Sequence, residues 1–245
     1  MVSVPTAAWL TSLPEKQRKK FLAELSAREK AQLLFKWSWW ARPNQLPPEG
    51  DWFIHLILAG RGWGKSRTGA EWIRSKVESG KARRIALVGR TAADVRDVMV
   101  RGQSGLIAVS PPEFRPEYEP SKRLLTWPNG AIATCYTSDE PDNLRGPEHD
   151  CAWADEVASW QRPEAWDMLL LGLRLGAQPQ VVATTTPKPI KLVRELTEKA
   201  RRDSSVVITR GSTYLHADGL SARGVAEGSY YQHPIGRNEC AQVVV

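Results

Sequence analysis

The chain has 245 residues, 42% hydrophobic and 25% charged, with a formal net charge of +7, which suits one large α/β domain or two small ones with a real core. It holds no run of eighteen or more apolar residues and opens without a charged-then-apolar signal pattern, so the expectation is a cytoplasmic protein with no membrane-spanning segment. Three widely spaced cysteines, Cys135, Cys151 and Cys240, fit neither a disulfide framework nor a zinc pattern, and the first two read as core residues. The positive balance suits a polyanionic partner, although the basic runs at 16–20, 81–84 and 199–202 read equally well as solvated helix ends.

Two short helices are predicted first. Ser12 to Glu15 and Ser26 to Glu29 both match the capping box, a serine followed three residues later by glutamate. Phe21, Leu22 and Leu25 give the first helix an apolar face, and Leu33, Leu34 and Trp37 do so for the second. The proline-rich run from Arg42 to Gly50 then reads as a non-helical connector. From Phe53 onward β and α signals alternate: strand 53–59, helix 65–79, strand 85–88 and helix 92–101. A hairpin of 123–127 and 131–136 follows, turning at Pro128-Asn129-Gly130. Next come strand 151–154, helix 163–173, strand 180–184, helix 189–200 and strand 206–208. This order predicts a mostly parallel sheet covered by helices on both faces, a three-layer α/β fold. Residues 215–245 show no period and read as an irregular tail, so the expected organisation is 1–50, 51–214 and 215–245.

The stretch Leu58-Ala59-Gly60-Arg61-Gly62-Trp63-Gly64-Lys65-Ser66 carries most of the chemistry. An apolar strand, a glycine-rich turn and a helix opening on Gly-Lys-Ser make a phosphate cradle, in which backbone N–H groups and a helix N-terminus face the anion. Lys65 would reach the β/γ-phosphates of a nucleoside triphosphate, and the Ser66 hydroxyl would ligate Mg²⁺. Ala59 stands where the strict pattern has glycine. The plainer reading is an ordinary strand-to-helix turn, which gives no reason for a lysine and serine there. Downstream, the strand at 151–154 ends in Asp155 and Glu156, one acid to hold the metal and one to polarise water. Alone, that pair reads as an N-cap aspartate beside a surface glutamate. Thr184, Thr185 and Thr186 close the next strand, where hydroxyls can meet a γ-phosphate or a catalytic carboxylate, or simply cap a helix. Arg145 lies in a loop before the acidic strand, as an arginine finger or a solvated loop residue; Arg61 is a second candidate for that charge.

Together these residues resemble the large terminase subunit of tailed bacteriophages and phage-like gene transfer agents. The likeness rests on Ala-Arg-Pro-Asn-Gln-Leu-Pro-Pro (41–48), the stretch 58–72, Leu-Arg-Gly-Pro (144–147), Trp-Ala-Asp-Glu (153–156) and Thr-Thr-Thr-Pro (184–187). It implies a RecA-like P-loop NTPase of the ASCE class that hydrolyses ATP with Mg²⁺ to drive double-stranded DNA into a procapsid. By the same resemblance Arg42 and Gln45 sit near the adenine. Gly60, Arg61, Gly62, Trp63, Gly64, Lys65 and Ser66 form a deviant Walker A loop. Asp155 and Glu156 are the Walker B pair, Thr184 to Thr186 the coupling motif, and Arg145 the arginine acting across a homo-oligomeric ring. The implied partners are the portal protein and a small terminase subunit. The family also carries a C-terminal nuclease, for which about 100 or more residues are needed. Only some thirty follow Tyr214 here, so a truncated or frameshifted tail without nuclease activity is expected, with Gly211 to Tyr214 beginning a lid. Two other readings remain, a helicase-like translocase and an inactive fragment that only binds nucleotide or DNA.

Overall fold

In a computed structural model, residues 6–212 are described. They fall into two units, 6–46 and 47–212. The expectations placed on 213–245, including the start of the lid at Thr213 and Tyr214, lie outside the described residues.

The first unit holds four helices where two were expected: α1 (Ala7–Ser12), α2 (Glu15–Glu24), α3 (Ala27–Phe35) and α4 (Trp37–Trp40). The Ser26–Glu29 capping box forms, with the Ser26 backbone N–H donating to Glu29 at 2.8 Å and Ser26 Oγ accepting from the Glu29 N–H at 3.2 Å. The Ser12–Glu15 box does not. Ser12 is the last residue of α1, and its hydroxyl donates to the Trp9 carbonyl at 2.7 Å, so Pro14 starts α2 with no side-chain cap. Leu10, Leu22 and Trp39 form a small core, with Phe21 stacked on Trp39 at 6.1 Å.

The second unit is one eight-stranded sheet. Its elements are β1 (Ile54–Ala59), α5 (Lys65–Glu78), β2 (Arg84–Gly89), α6 (Ala92–Asp94), α7 (Leu106–Val109), β3 (Glu117–Glu119), β4 (Leu124–Thr126), β5 (Ile132–Thr137), β6 (Cys151–Asp155), α8 (Glu164–Gly172), β7 (Gln180–Thr185), α9 (Lys191–Lys199) and β8 (Val206–Gly211). The strand order is β3-β4-β5-β2-β6-β7-β1-β8, parallel from β5 to β8, with β3 and β4 antiparallel at one edge. The expected α/β fold with a mostly parallel sheet is present. Along β1, Ile57 and Ala59 join the core shared with α5 and α7, while Ile54, Leu56 and Leu58 join the core shared with α8 and α9. Every β1 residue is buried, with helices on both faces, which explains why such a strand is apolar along almost its whole length, His55 excepted, instead of alternating.

In this unit the sequence reading missed the short helix α7 and two further features. The edge strand β3 is only three residues long, too short for a periodic signal. The helix expected over 92–101 is α-helical only along α6, then widens into a π-turn at Val95–Val100. Cys135 and Cys151 are buried, and burial pushes both thiols up to about 12, so they are inert core side chains. No helix of the described residues is long and apolar enough to cross a membrane.

The strand order matters most for the site. Strand β7 lies between β1 and β6, and all three run parallel. Their C-terminal ends therefore share one edge of the sheet, where ligands bind in open α/β folds.

Candidate active site

The loop that follows β1 reverses twice. Gly62 (φ 77°) and Gly64 (φ 93°) both take left-handed backbone, which a side chain would strain. Gly64 is the N-cap of α5 and offers no side chain to it, so the first N–H groups of the helix are left for another acceptor. Ala59 is absent from the positive-φ positions and remains the last paired residue of β1, opposite Gly211. A glycine is not required there, which accounts for the departure from the strict pattern.

Trp63 plays a different part from the rest of the loop. Its side chain is 1% exposed and belongs to the core on the α5 side of the sheet. A Cβ on Gly211 would overlap the Trp63 indole, so β8 gives up a side chain to admit the ring. The indole wedges the loop onto the sheet edge, and only the Trp63 backbone remains on the loop for a ligand.

Lys65 is 8% exposed and folded over its own loop. Its ammonium donates to the carbonyls of Ala59 at 3.0 Å and Gly60 at 3.2 Å. It also reaches Thr186 Oγ1 at 3.4 Å and pairs with Glu156 Oε1 at 3.5 Å. Glu156 follows directly on β6 in left-handed backbone (φ 51°, ψ 44°), a conformation that costs a non-glycine residue about 1–3 kcal/mol and is typical of functional turns. Its carboxylate accepts from the Thr186 backbone N–H at 3.2 Å and faces the Thr186 hydroxyl at 3.3 Å.

Asp155, the last residue of β6, is 8% exposed. Oδ1 accepts from the Thr184 hydroxyl at 2.5 Å, and that hydroxyl in turn accepts from Trp153 Nε1 at 3.0 Å. The Asp155 carbonyl accepts from Trp160 Nε1 at 3.0 Å. Burial pushes the Asp155 carboxyl up to about 6, with the Glu156 charge adding to the rise and the Thr184 bond and Lys65 opposing it. The three threonines have separate roles. Thr184 holds Asp155, and Thr186 holds Glu156. Thr185 Oγ1 accepts from the Ala158 N–H at 3.1 Å and ties β7 to the turn after Glu156. Of the two tryptophans that brace Asp155, Trp153 stands in the Trp-Ala-Asp-Glu motif but was given no role from sequence, and Trp160 lies in none of the motifs read there.

The oxygens here suit a hard cation shared with a substrate. Ser66, half-buried on the first turn of α5, supplies a hydroxyl, and Asp155 a carboxylate whose raised pKa a neighbouring divalent charge would relieve. Mg²⁺ commonly takes one or two protein oxygens and fills its octahedron with phosphates and water. Among the described residues, no group of three or more His, Cys, Asp or Glu could hold a metal ion by itself.

The other predicted residues have surroundings of their own. Arg61 is exposed on the loop. Arg145 caps a 3-10 turn at Pro141–Leu144, with its side chain 66% exposed and its Nε 3.2 Å from Asp142 Oδ1. Arg42 and Gln45 belong to the first unit, where Gln45 is buried and its Oε1 accepts from the Arg42 N–H at 3.1 Å.

Comparison with known proteins places the fold and the family. Residues 56–230 match the family described as "Terminase large subunit, T4likevirus-type, N-terminal". The fold is similar to the large terminase of a thermophilic bacteriophage in complex with ADP, at TM-score 0.58 and 16% identity over 84% of this chain and 50% of that one. It is also similar to the Thermus phage P74-26 large terminase ATPase domain, at 0.53 and 15% over 76% of this chain and 86% of that one. The HK97 bacteriophage large terminase follows at 0.51 and 14%, over 78% of this chain and 42% of that one. The chain thus spans about half the length of the ADP-bound and HK97 proteins. No curated protein matches it. With a family match that covers most of its sequence, on a P-loop α/β fold, the chain belongs to the N-terminal family of terminase large subunits.

Proposed function

We propose that this chain is the ATP-hydrolysing motor part of a phage terminase large subunit, powering movement of double-stranded DNA into a procapsid. The observation that carries the reading is the meeting of Lys65, Glu156 and Thr186 within 3.5 Å at one sheet edge, beside the Asp155–Thr184 pair. The N–H groups of the loop and of the α5 N-terminus cradle the β- and γ-phosphates of ATP. Lys65 exchanges the carbonyls of Ala59 and Gly60 for phosphate oxygens and offsets charge as it builds on them. Glu156 then accepts a proton from the water that attacks the γ-phosphorus, as the bond to the ADP oxygen breaks. Ser66 and, through water or directly, Asp155 would hold Mg²⁺, which would supply positive charge against the phosphates. Thr186 keeps the Glu156 carboxylate facing the loop. Because Thr186 also touches Lys65, loss of the γ-phosphate is felt at the end of β7.

In this reading Arg145 completes a neighbouring subunit's site in a homo-oligomeric ring, and Arg42 and Gln45 meet the adenine. The ring would work with a portal protein and a small terminase subunit, in the host cytoplasm. The test is ATP turnover by the assembled chain compared with Glu156→Gln. The expected result is hydrolysis by the wild type and a variant that binds ATP but turns over about 10²–10⁴-fold more slowly. Equal rates overturn the mechanism, and nucleotide binding without turnover in both reduces the chain to a binding fragment.

A further inference from the structure

Among the described residues only two non-glycine positions adopt left-handed backbone, Glu156 and Arg123. The first lies in the candidate active site. The second, with φ 52° and ψ 42°, caps the 3-10 turn at Pro120–Lys122 just before β4. A glycine would take that backbone without strain, yet an arginine stands there. Strain kept at a bulky residue points to a use for its side chain.

The side chain leads to one acceptor. Arg123 Nη1 donates to Glu140 Oε2 at 3.1 Å, and Asn143 Nδ2 donates to the same oxygen at 2.9 Å. Glu140 precedes, and Asn143 lies within, the 3-10 turn Pro141–Leu144 whose C-cap is Arg145. The turn is pinned on its other side by the buried side chains of Pro141 and Leu144. Within it, the Arg145 N–H donates to the Asp142 carbonyl at 3.1 Å, and its guanidinium pairs with Asp142. Arg123 and Glu140 are each about half exposed, so the pair adds little to stability. Its geometric effect is larger, because one carboxylate oxygen joins the β3–β4 corner to the turn that carries Arg145.

We infer that Arg123 and Glu140 are positioning residues that set the orientation of the Arg145 turn. The inference rests on the proposed role of Arg145 in a neighbouring site. Misplacing a charge-stabilising group by an ångström lowers turnover without weakening substrate binding.

The experiment compares ATP turnover of the full chain, at concentrations where it hydrolyses ATP, for Arg123→Asn, Glu140→Gln, Arg145→Ala and the double variant Glu140→Gln/Arg145→Ala. Asparagine tolerates the left-handed backbone, so Arg123→Asn removes the guanidinium without adding strain. Both positioning variants should lower kcat by up to about tenfold with KM unchanged, while the double variant should be no slower than Arg145→Ala alone. Amide hydrogen exchange at Asn143 and Arg145 should quicken in Glu140→Gln. Unchanged exchange and kcat, or an equal loss with and without Arg145, overturns the positioning role and leaves the Arg145 reading standing. An Arg145→Ala variant at wild-type rate overturns that reading itself, and the inference falls with it. A wild type without turnover overturns both.

Discussion

Lys65 and Glu156 pair at 3.5 Å although about 90 residues of sequence separate them, and the same ammonium also donates to the carbonyls of Ala59 and Gly60. The cation that would meet a triphosphate is therefore held by its own loop and by the proposed base. Phosphate oxygens have to replace those partners, which couples substrate entry to the release of Glu156.

Replacing Lys65 tests that exchange. Lys65→Ala should weaken nucleotide binding at least tenfold, about 1.4 kcal/mol, and abolish turnover. Lys65→Arg should not rescue it, because a planar guanidinium does not reproduce a point charge between two carbonyls. Titration with a fluorescent ATP analogue reads both, and wild-type affinity in Lys65→Ala would remove the lysine from the cradle.

Thr184 and Thr186 should separate into different defects. Thr184→Val leaves Asp155 Oδ1 and Trp153 Nε1 without their shared hydroxyl, inside the sheet. It should lower stability by about 1–3 kcal/mol and reduce turnover. Thr186→Ala acts at a partly buried hydroxyl and should reduce kcat with a smaller change in stability. Denaturant midpoints set beside kcat decide the matter, and indistinguishable profiles for the two variants would reject this division.

Gly211→Ala places a methyl group inside the Trp63 indole. The ring has to move, and the loop it wedges moves with it. The expected result is about 1–3 kcal/mol of destabilisation together with weaker nucleotide binding. Trp63→Ala in the same background should relieve the overlap, and failure to recover any affinity would show that the wedge does not shape the loop.

His55 and His149 make the fold acid-sensitive. Burial lowers both to about 4 from 6.5. Between those values the unfolded chain binds more protons than the folded one, so stability is full above pH 6.5 and is lost as pH falls toward 4. Across the whole window each histidine contributes about 3 kcal/mol to the loss. His149 packs edge-on against Tyr136 at 5.5 Å, and neither ring nitrogen has a hydrogen-bond partner. His149→Phe should therefore flatten the slope without loss at about pH 7.5. Chemical denaturation at about pH 5 and pH 7.5 measures it, and an unchanged difference would assign the acid sensitivity elsewhere.

Much of the molecule was legible in sequence. The strand, glycine turn and Gly-Lys-Ser helix lie in one continuous stretch, so backbone preference and local chemistry reveal them together. The strands β1, β2, β6 and β7 showed as apolar runs because helices cover both their faces. The extra helices of the first unit were hidden because they are short, and α1 takes the Ser12 hydroxyl that would otherwise have capped α2.

Sequence by itself determined which groups the site has: a phosphate-type loop with Lys65 and Ser66, two adjacent carboxylates, and three hydroxyls at a strand end. Tertiary structure alone decided how they meet. With β7 between β1 and β6, Thr184 stands in register with both Asp155 and Ile57, which brings Thr186 between Glu156 and Lys65. It also turned Trp63 from the loop into the core, through the missing side chain at Gly211 on β8. Strand order and register are long-range pairings, set by how the whole sheet closes its hydrogen bonds and buries its two faces. No local pattern of residues encodes them.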